Sequence, residues 1–399
     1  MQEVLITGVG AISHLGHGAD AFWHGLLRAE SSPGEVADPH ARMSVPLMYS
    51  VPEQPLPEIS SDGDFDGGGV PPGLASRYAI EGARQALADA GLGEVPAERT
   101  AVVIGTGMGD SGLHERWRTD GRPDADGEWA PVFSVASALG AWLGAEGPVS
   151  SISNACAASG FGLSAAADLI RTGVADVVVA GGAEAYSRVA LACFNRLGAI
   201  DPERCRPFDA RRAGTVFGEG AGIMILESAE HARARSAPRV YAELAGEGWS
   251  CDAHHATAPE PAGTQIVRAM RAALEQAGAS AEEVGCVVPH GTGTELNDVV
   301  ESGALHTVLG ERAARTPLYS LKALVGHTGG AAAALGTVAA ALMLHHRKVP
   351  PNRPVAELDP QCRVRLPESE VPLEGRFALV NAYAFGGNNV SLVLKEARA

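Results

Sequence analysis

Basic residues are scarce in this chain of 399 residues: 31 Lys and Arg stand against 47 Asp and Glu, a formal charge of -16. Such a field repels phosphate backbones and anionic lipid surfaces, so neither nucleic acid nor a membrane is an expected partner. Cysteine is also sparse, at six residues without paired spacing. That excludes a disulfide framework and suits a reduced, cytoplasmic protein. Gly and Pro together number 74 (49 and 25), below the roughly 25% of low-complexity disorder, so a folded chain is expected. One uncharged run is long enough to span a membrane: Val325 to Leu344 is rich in Ala and Gly and holds His327, which favours a small-residue helix buried in protein over a membrane span. The start, MQEVLITGVG, is acidic and strand-like, unlike a signal peptide.

What is present is a recurrence of short β-branched runs: VLITGV near residue 4, TAVVIGTG near 100, ADVVVAGG near 175, AGIMILE near 221, VYAELAGEG near 240, VGCVVPHG near 284 and FALVNAY near 377. Helical patterns lie between them: SRYAIEGARQALADAGL, SGFGLSAAADLIRTG, TQIVRAMRAALEQAG and the Ala-rich segment after His327. This alternation predicts an α/β fold, and the almost unbroken VVVA predicts a strand covered on both faces. The order of elements is similar on either side of residues 228–238, so the chain is read as a duplicated unit, 1–230 followed by 231–399. Residues 31–72 and 111–131, the latter with Trp117 and Trp129, are expected to be surface excursions.

Three residues carry candidate chemistry. Cys156 lies in SNACAASGFGLSAAADL, a small-residue turn running into a helix, where the helix dipole favours a nucleophilic thiolate. His290 in PHGTGTELND follows a strand, and His327 in SLKALVGHTGG opens a helix; α/β folds present functional side chains at such places. CDAHH, from Cys251 to His255, resembles a metal cluster but lacks further ligands in sequence, so no metal is expected. GTGMGDSG near 105 lacks the third glycine of a dinucleotide fingerprint.

The ordered set VLITGVGAISHLG, NACAASG, ADVVVAGGAEA, RPFDARRAGTVFGEGAGIMILE, CDAHHATAP, PHGTGTELNDVVE, SLKALVGHTGGAAAALG and NAYAFGGNNVSLVL closely resembles the β-ketoacyl synthases of the thiolase superfamily. These are the condensing enzymes of fatty acid and polyketide synthesis, and synthase II is the form most alike. The resemblance implies a thiolase-like fold, two βαβαβαββ halves in a layered αβαβα arrangement. It implies a Cys156, His290, His327 centre, with Lys322 and Glu301 as a buried pair that helps fix the second histidine and its surroundings. It makes Phe385 a gate whose N–H joins that of Cys156 in an oxyanion hole. Thr292 and Thr294 would bind the phosphopantetheine arm, and Met108 would floor the acyl pocket. No cofactor is implied beyond phosphopantetheine on a carrier protein or coenzyme A.

The expected partners are an acidic acyl carrier protein and a second subunit, identical or ketosynthase-like. Arg196, Arg204, Arg206, Arg211 and Arg212, the densest basic cluster, are candidates for carrier docking, and Arg77 and Arg84 are further ones. Departures from the family pattern are Val288 and Pro289 before His290, Thr215 in place of an aromatic, and Ala384 where the gate loop has a hinge glycine. They point to a specialised secondary-metabolite synthase. The expected reaction is decarboxylative Claisen condensation. Alternatives are an acyl-enzyme that cyclises or transfers without extension, and a chain-length-factor-like subunit without catalysis.

Overall fold

The apolar runs form strands whose alternate residues face opposite sides, and both sides are covered. The computed structural model describes residues 2–54, 56, 72–120 and 132–397. Its main sheet contains β1 (Val4–Ser13), β2 (Thr100–Gly105), β3 (Val149–Ile152), β4 (Val177–Glu184), β5 (Gly220–Ser228), β6 (Ala242–Cys251), β7 (Val284–Val288), β8 (Phe377–Ala384) and β9 (Asn388–Glu396). The strand order is β7-β8-β9-β6-β1-β5-β4-β2-β3.

The duplication is visible in that order. From the edge inward, the first five strands of the chain lie as third, second, fourth, fifth, first, with the fifth antiparallel to its neighbours. The later strands repeat the arrangement once the segment at Leu318, bridged in parallel to Val287, is counted as the third. Leu5 opposite Glu243 and Ile6 opposite Ala242 join the two sets across β1 and β6.

Three helix layers alternate with the two sets of strands. Helices α1 (Leu74–Ala90) and α2 (Val135–Leu143) cover one outer face, over Val102, Ile104, Val177 and Val179. At the centre lie α3 (Ala158–Arg171) and α7 (Ala332–His346), packed on Val103 and Val178 from one set and Val380 and Leu392 from the other. On the second outer face, α5 (Thr264–Ala277) and α6 (Glu295–Leu309) cover Val287, Leu379 and Val393. Between these comes α4 (Arg188–Arg196). Every residue of α7 from Ala332 to Leu344 is buried. Its apolar composition, long enough to cross a membrane, is satisfied here by protein on all sides.

The two surface excursions are more structured than expected. Residues 34–35 and 47–49 form a small sheet with 217–218, although residue 55 and residues 57–71 lie outside the described set. Ser111–Asp120 is a helix, held where the Glu115 carboxylate accepts from Ser187 Oγ and the Arg188 N–H. Trp129 lies outside the described residues.

Candidate active site

The turn before α3 is sharp because Ala155 adopts a left-handed backbone, φ 47°, a conformation alanine holds only under constraint. It presents Cys156 to a cavity of about 410 Å³ that His290, His327, Thr292, Thr294 and Phe385 also line. The first strand set thus supplies the thiol, and the second supplies both imidazoles. Their ring centroids are 5.6 Å apart with planes at 87°. A second cavity, about 110 Å³, lies beside Cys156 and is walled by Met108, Leu191, Phe194 and Phe217.

Three backbone anchors hold His290. Its N–H donates to Glu301 Oε1 (2.8 Å), the neighbouring Gly291 N–H donates to Glu301 Oε2 (2.8 Å), and Lys322 Nζ donates to the His290 carbonyl. Glu301 and Lys322 therefore grip one peptide segment from opposite sides. Their hydrogen bonds thus go to the first histidine's segment, where the expectation had the pair help fix the second histidine and its surroundings. His327 is held by its own main chain, donating to Val216 O and accepting from Gly218 N. Behind Glu301, Asn381 Nδ2 donates to Oε1 (3.2 Å) and Ser391 Oγ donates to Asn381 Oδ1 (2.8 Å). Burial pushes the Glu301 carboxyl up to about 7 against the pull of the Gly291 and His290 N–H groups, and burial lowers Lys322.

Both carboxylate oxygens of Glu301 accept only N–H donors, so Glu301→Gln turns an amide NH2 against one of them. We expect that substitution to lower unfolding free energy by about 1–3 kcal/mol, the cost of a buried unsatisfied donor, as read by urea titration. An unchanged midpoint would sink the clamp.

The electrostatics correct a second expectation. Burial, reinforced by the Glu184 carboxylate and only partly offset by Lys322, pushes the Cys156 thiol up to about 12. Burial is the largest influence on this thiol, and it opposes the thiolate that a helix terminus favours. Burial also holds His290 and His327 well below the ordinary histidine range, helped by the Lys322 charge. Both rings are neutral at physiological pH, and the Nδ1 atom of each is buried without a hydrogen-bond partner among the described residues.

Around this centre, Thr292 and Thr294 place their hydroxyls 2.9 Å apart on the cavity wall. Asp298 fixes that loop by accepting from the N–H groups of Thr292, Gly293 and Phe208. Phe385 stacks on Phe194 at 5.1 Å, Phe194 meets Phe217 edge-on at 4.7 Å, and Phe217 lies parallel to the His327 ring at 6.1 Å. Ala384 causes no strain in the gate turn: it closes β8, and Gly386 (φ 85°) and Gly387 (φ 79°) take the left-handed positions. Val288 is buried against α7, where Gly336 leaves room for it.

The basic cluster divides. Arg206 forms a two-pronged pair with Asp201, and buried Arg212 binds Asp359 and the carbonyls of Thr294 and Glu295. These two brace the loops and are not available for docking. Arg196 and Arg211 are exposed and Arg204 is half-buried, none with an ion pair among the described residues. Arg84 is bound to Glu81, while Arg77 is half-buried. In the CDAHH loop, His255 Nδ1 accepts from the Thr257 and Ala258 N–H groups, and Asp252 accepts from Asn389 and the Glu260 N–H. Those bonds shape a turn.

Sequence reasoning missed Glu184, Asp298, Asn381 and Phe194. The signals available were weak: an acid closing the strand-like ADVVVAGGAE, and an acid in the first turn of a helix after PHGTGT.

Comparison with known proteins gives a consistent result. Residues 1–232 match the N-terminal domain model of the β-ketoacyl synthases, and residues 241–356 match the C-terminal domain model. A 3-oxoacyl-[acyl-carrier-protein] synthase 2 of Rhizobium meliloti is 34% identical, with 99% of both chains covered. Among solved structures, the ishigamide ketosynthase/chain length factor is 35% identical with a TM-score of 0.87, covering 100% of both chains. The type II polyketide synthase complex AntDE:AntF, a ketosynthase with its acyl-carrier protein, is 29% identical with a TM-score of 0.87, again over 100% of both.

Proposed function

Because the chain belongs to the β-ketoacyl synthase family, we propose that it extends an acyl chain by decarboxylative Claisen condensation with a malonyl thioester on acyl carrier protein. The setting is polyketide or fatty-acid-type biosynthesis in the cytoplasm. The observation that carries this reading is the meeting of one thiol and two neutral imidazoles in a single cavity.

In the first half-reaction Cys156 Sγ attacks the acyl thioester. The carrier thiolate leaves and takes up the thiol proton, and the developing oxyanion is met by the N–H groups of Cys156 and Phe385. In the second, the malonyl carboxylate leaves as carbon dioxide and its bonding pair becomes an enolate. The His290 and His327 N–H groups face the enolate oxygen. We assign those protons to Nε2, because each Nδ1 is walled in without an acceptor among the described residues. The enolate carbon bonds to the acyl carbonyl and Cys156 leaves as thiolate, to be reprotonated. Neutral rings suit this role, since each offers an N–H without a charge that would trap the product.

The reaction needs no metal or redox cofactor. The pantetheine arm passes Thr292 and Thr294, and Met108 walls the acyl cavity. Carrier docking falls to Arg196 and Arg211, with Arg204 contributing less. Leu197 (50% exposed) and Leu296 (58%) flank the same mouth, and an acidic carrier would bind this local positive site against the overall charge. The second subunit is an identical chain or a ketosynthase-like partner, as in the ketosynthase/chain length factor pair.

Two successive intact-mass measurements test the reading. Incubation with acyl-carrier protein should leave an acyl adduct on Cys156. Addition of malonyl-carrier protein should then release carbon dioxide and transfer an extended chain to the carrier. No adduct would indicate a non-catalytic partner subunit, and an adduct without decarboxylation would indicate cyclisation or simple transfer.

A further inference from the structure

The Glu184 carboxylate lies beside Cys156 on the wall of the smaller cavity, and both its oxygens are filled by donors from two separate turns. Oε2 accepts the N–H of Gly107 (2.7 Å) and of Gly330 (2.6 Å). Oε1 accepts the N–H of Met108 (2.8 Å) and, more distantly, the Thr106 hydroxyl (3.4 Å), which itself accepts from Gly109 N. One turn follows β2 and carries Met108. The other follows His327 and leads into α7. Three backbone N–H donors converge on the carboxyl group and favour its anion against the upward push of burial.

The glycines show how closely the turns approach. A Cβ on Gly107 would come within 2.7 Å of Glu184 Oε2, one on Gly329 within 2.5 Å, and one on Gly330 within 2.3 Å of Gly107 N. The carboxylate is therefore the only side chain that ties the cavity wall at Met108 to the turn after His327 by hydrogen bonds among the described residues.

We propose that Glu184 is a positioning residue for acyl-chain selection: it sets how far the Met108 wall stands from Cys156 by clamping the 106–109 turn to Gly330. The inference rests on the ketosynthase reading and adds to it a residue that touches no reacting atom. Met108 supplies the bulk, and Glu184 fixes where that bulk is placed. Loss of the clamp should let the wall recede and favour longer acyl groups.

The test is competitive acyl loading of the full-length protein, with equal amounts of short-chain and long-chain straight acyl-carrier protein and the Cys156 adducts resolved by intact mass. In Glu184→Gln, whose amide NH2 opposes an N–H of the cradle, the long-to-short ratio should rise about threefold or more, in the same direction as in Met108→Ala. Thr106→Val keeps all three backbone donors to Glu184, removes the outermost contact together with the acceptor for Gly109 N–H, and should shift the ratio the same way by less. A purely structural role would lower loading of both lengths in parallel, and an unchanged ratio in Glu184→Gln overturns the proposal. If that variant fails to fold by circular dichroism, an unchanged ratio in Thr106→Val does so instead. Failure of the unsubstituted protein to load at all would strike the ketosynthase reading.

Discussion

Alanine at position 156 should abolish the acyl adduct and reduce condensation by about four orders of magnitude or more, the scale seen when a covalent nucleophile is removed. Malonyl-carrier protein decarboxylation should persist in Cys156→Ala, because the enolate is stabilised by two imidazoles that the substitution leaves in place. Carbon dioxide release alongside an unmodified intact mass is the expected pair of results. An adduct in this variant would remove Cys156 from its role. The pH behaviour follows from the same surroundings. With the thiol pushed up to about 12, alkylation of Cys156 by iodoacetamide in the unsubstituted protein should be slow near neutrality and climb through the alkaline range. A plateau below pH 8 would mean that a thiolate exists at rest.

The second large effect concerns the histidines. His290→Ala and His327→Ala should each lower malonyl decarboxylation by about 10²–10³-fold, as loss of one oxyanion donor does elsewhere. The double variant should fall by less than the product, since both donors act on one oxygen. Neither change should dismantle the site. Position 290 is held through its backbone by Glu301 and Lys322, and position 327 through Val216 and Gly218. Single variants that decarboxylate at the parent rate while remaining folded would rule out the two-imidazole mechanism. Acid should act through stability. Both rings are held below the unfolded value of about 6.5, so below that pH the unfolded chain binds more protons and stability falls as pH falls.

Much of this was legible in the sequence for identifiable reasons. Strands such as VVVA and helices such as TQIVRAMRAALEQAG declare themselves by periodicity, and each formed where expected. Cys156, His290 and His327 stand out because catalysis needs particular residue types at strand ends and helix starts. The electrostatics were not legible. A helix N-terminus argues for a thiolate, but the burial that pushes the thiol the other way comes from chain segments far apart in sequence. The arginines misled for a related reason: Asp201 and Asp359, which bind Arg206 and Arg212, become partners only through tertiary structure. Glu184 was invisible because its donors, the N–H groups of Gly107, Met108 and Gly330, carry no side-chain signature.

Helix α7 has a meaning in folding terms. A helix with no polar face gains little by forming in water, since most helical stability comes from tertiary packing. Its burial requires strands from both halves of the chain, β5 on one side and β8 on the other. The turn that orients His327 therefore reaches its working shape only when nearly the whole molecule has assembled. A partly folded chain holds no paired imidazoles with which to waste malonyl groups.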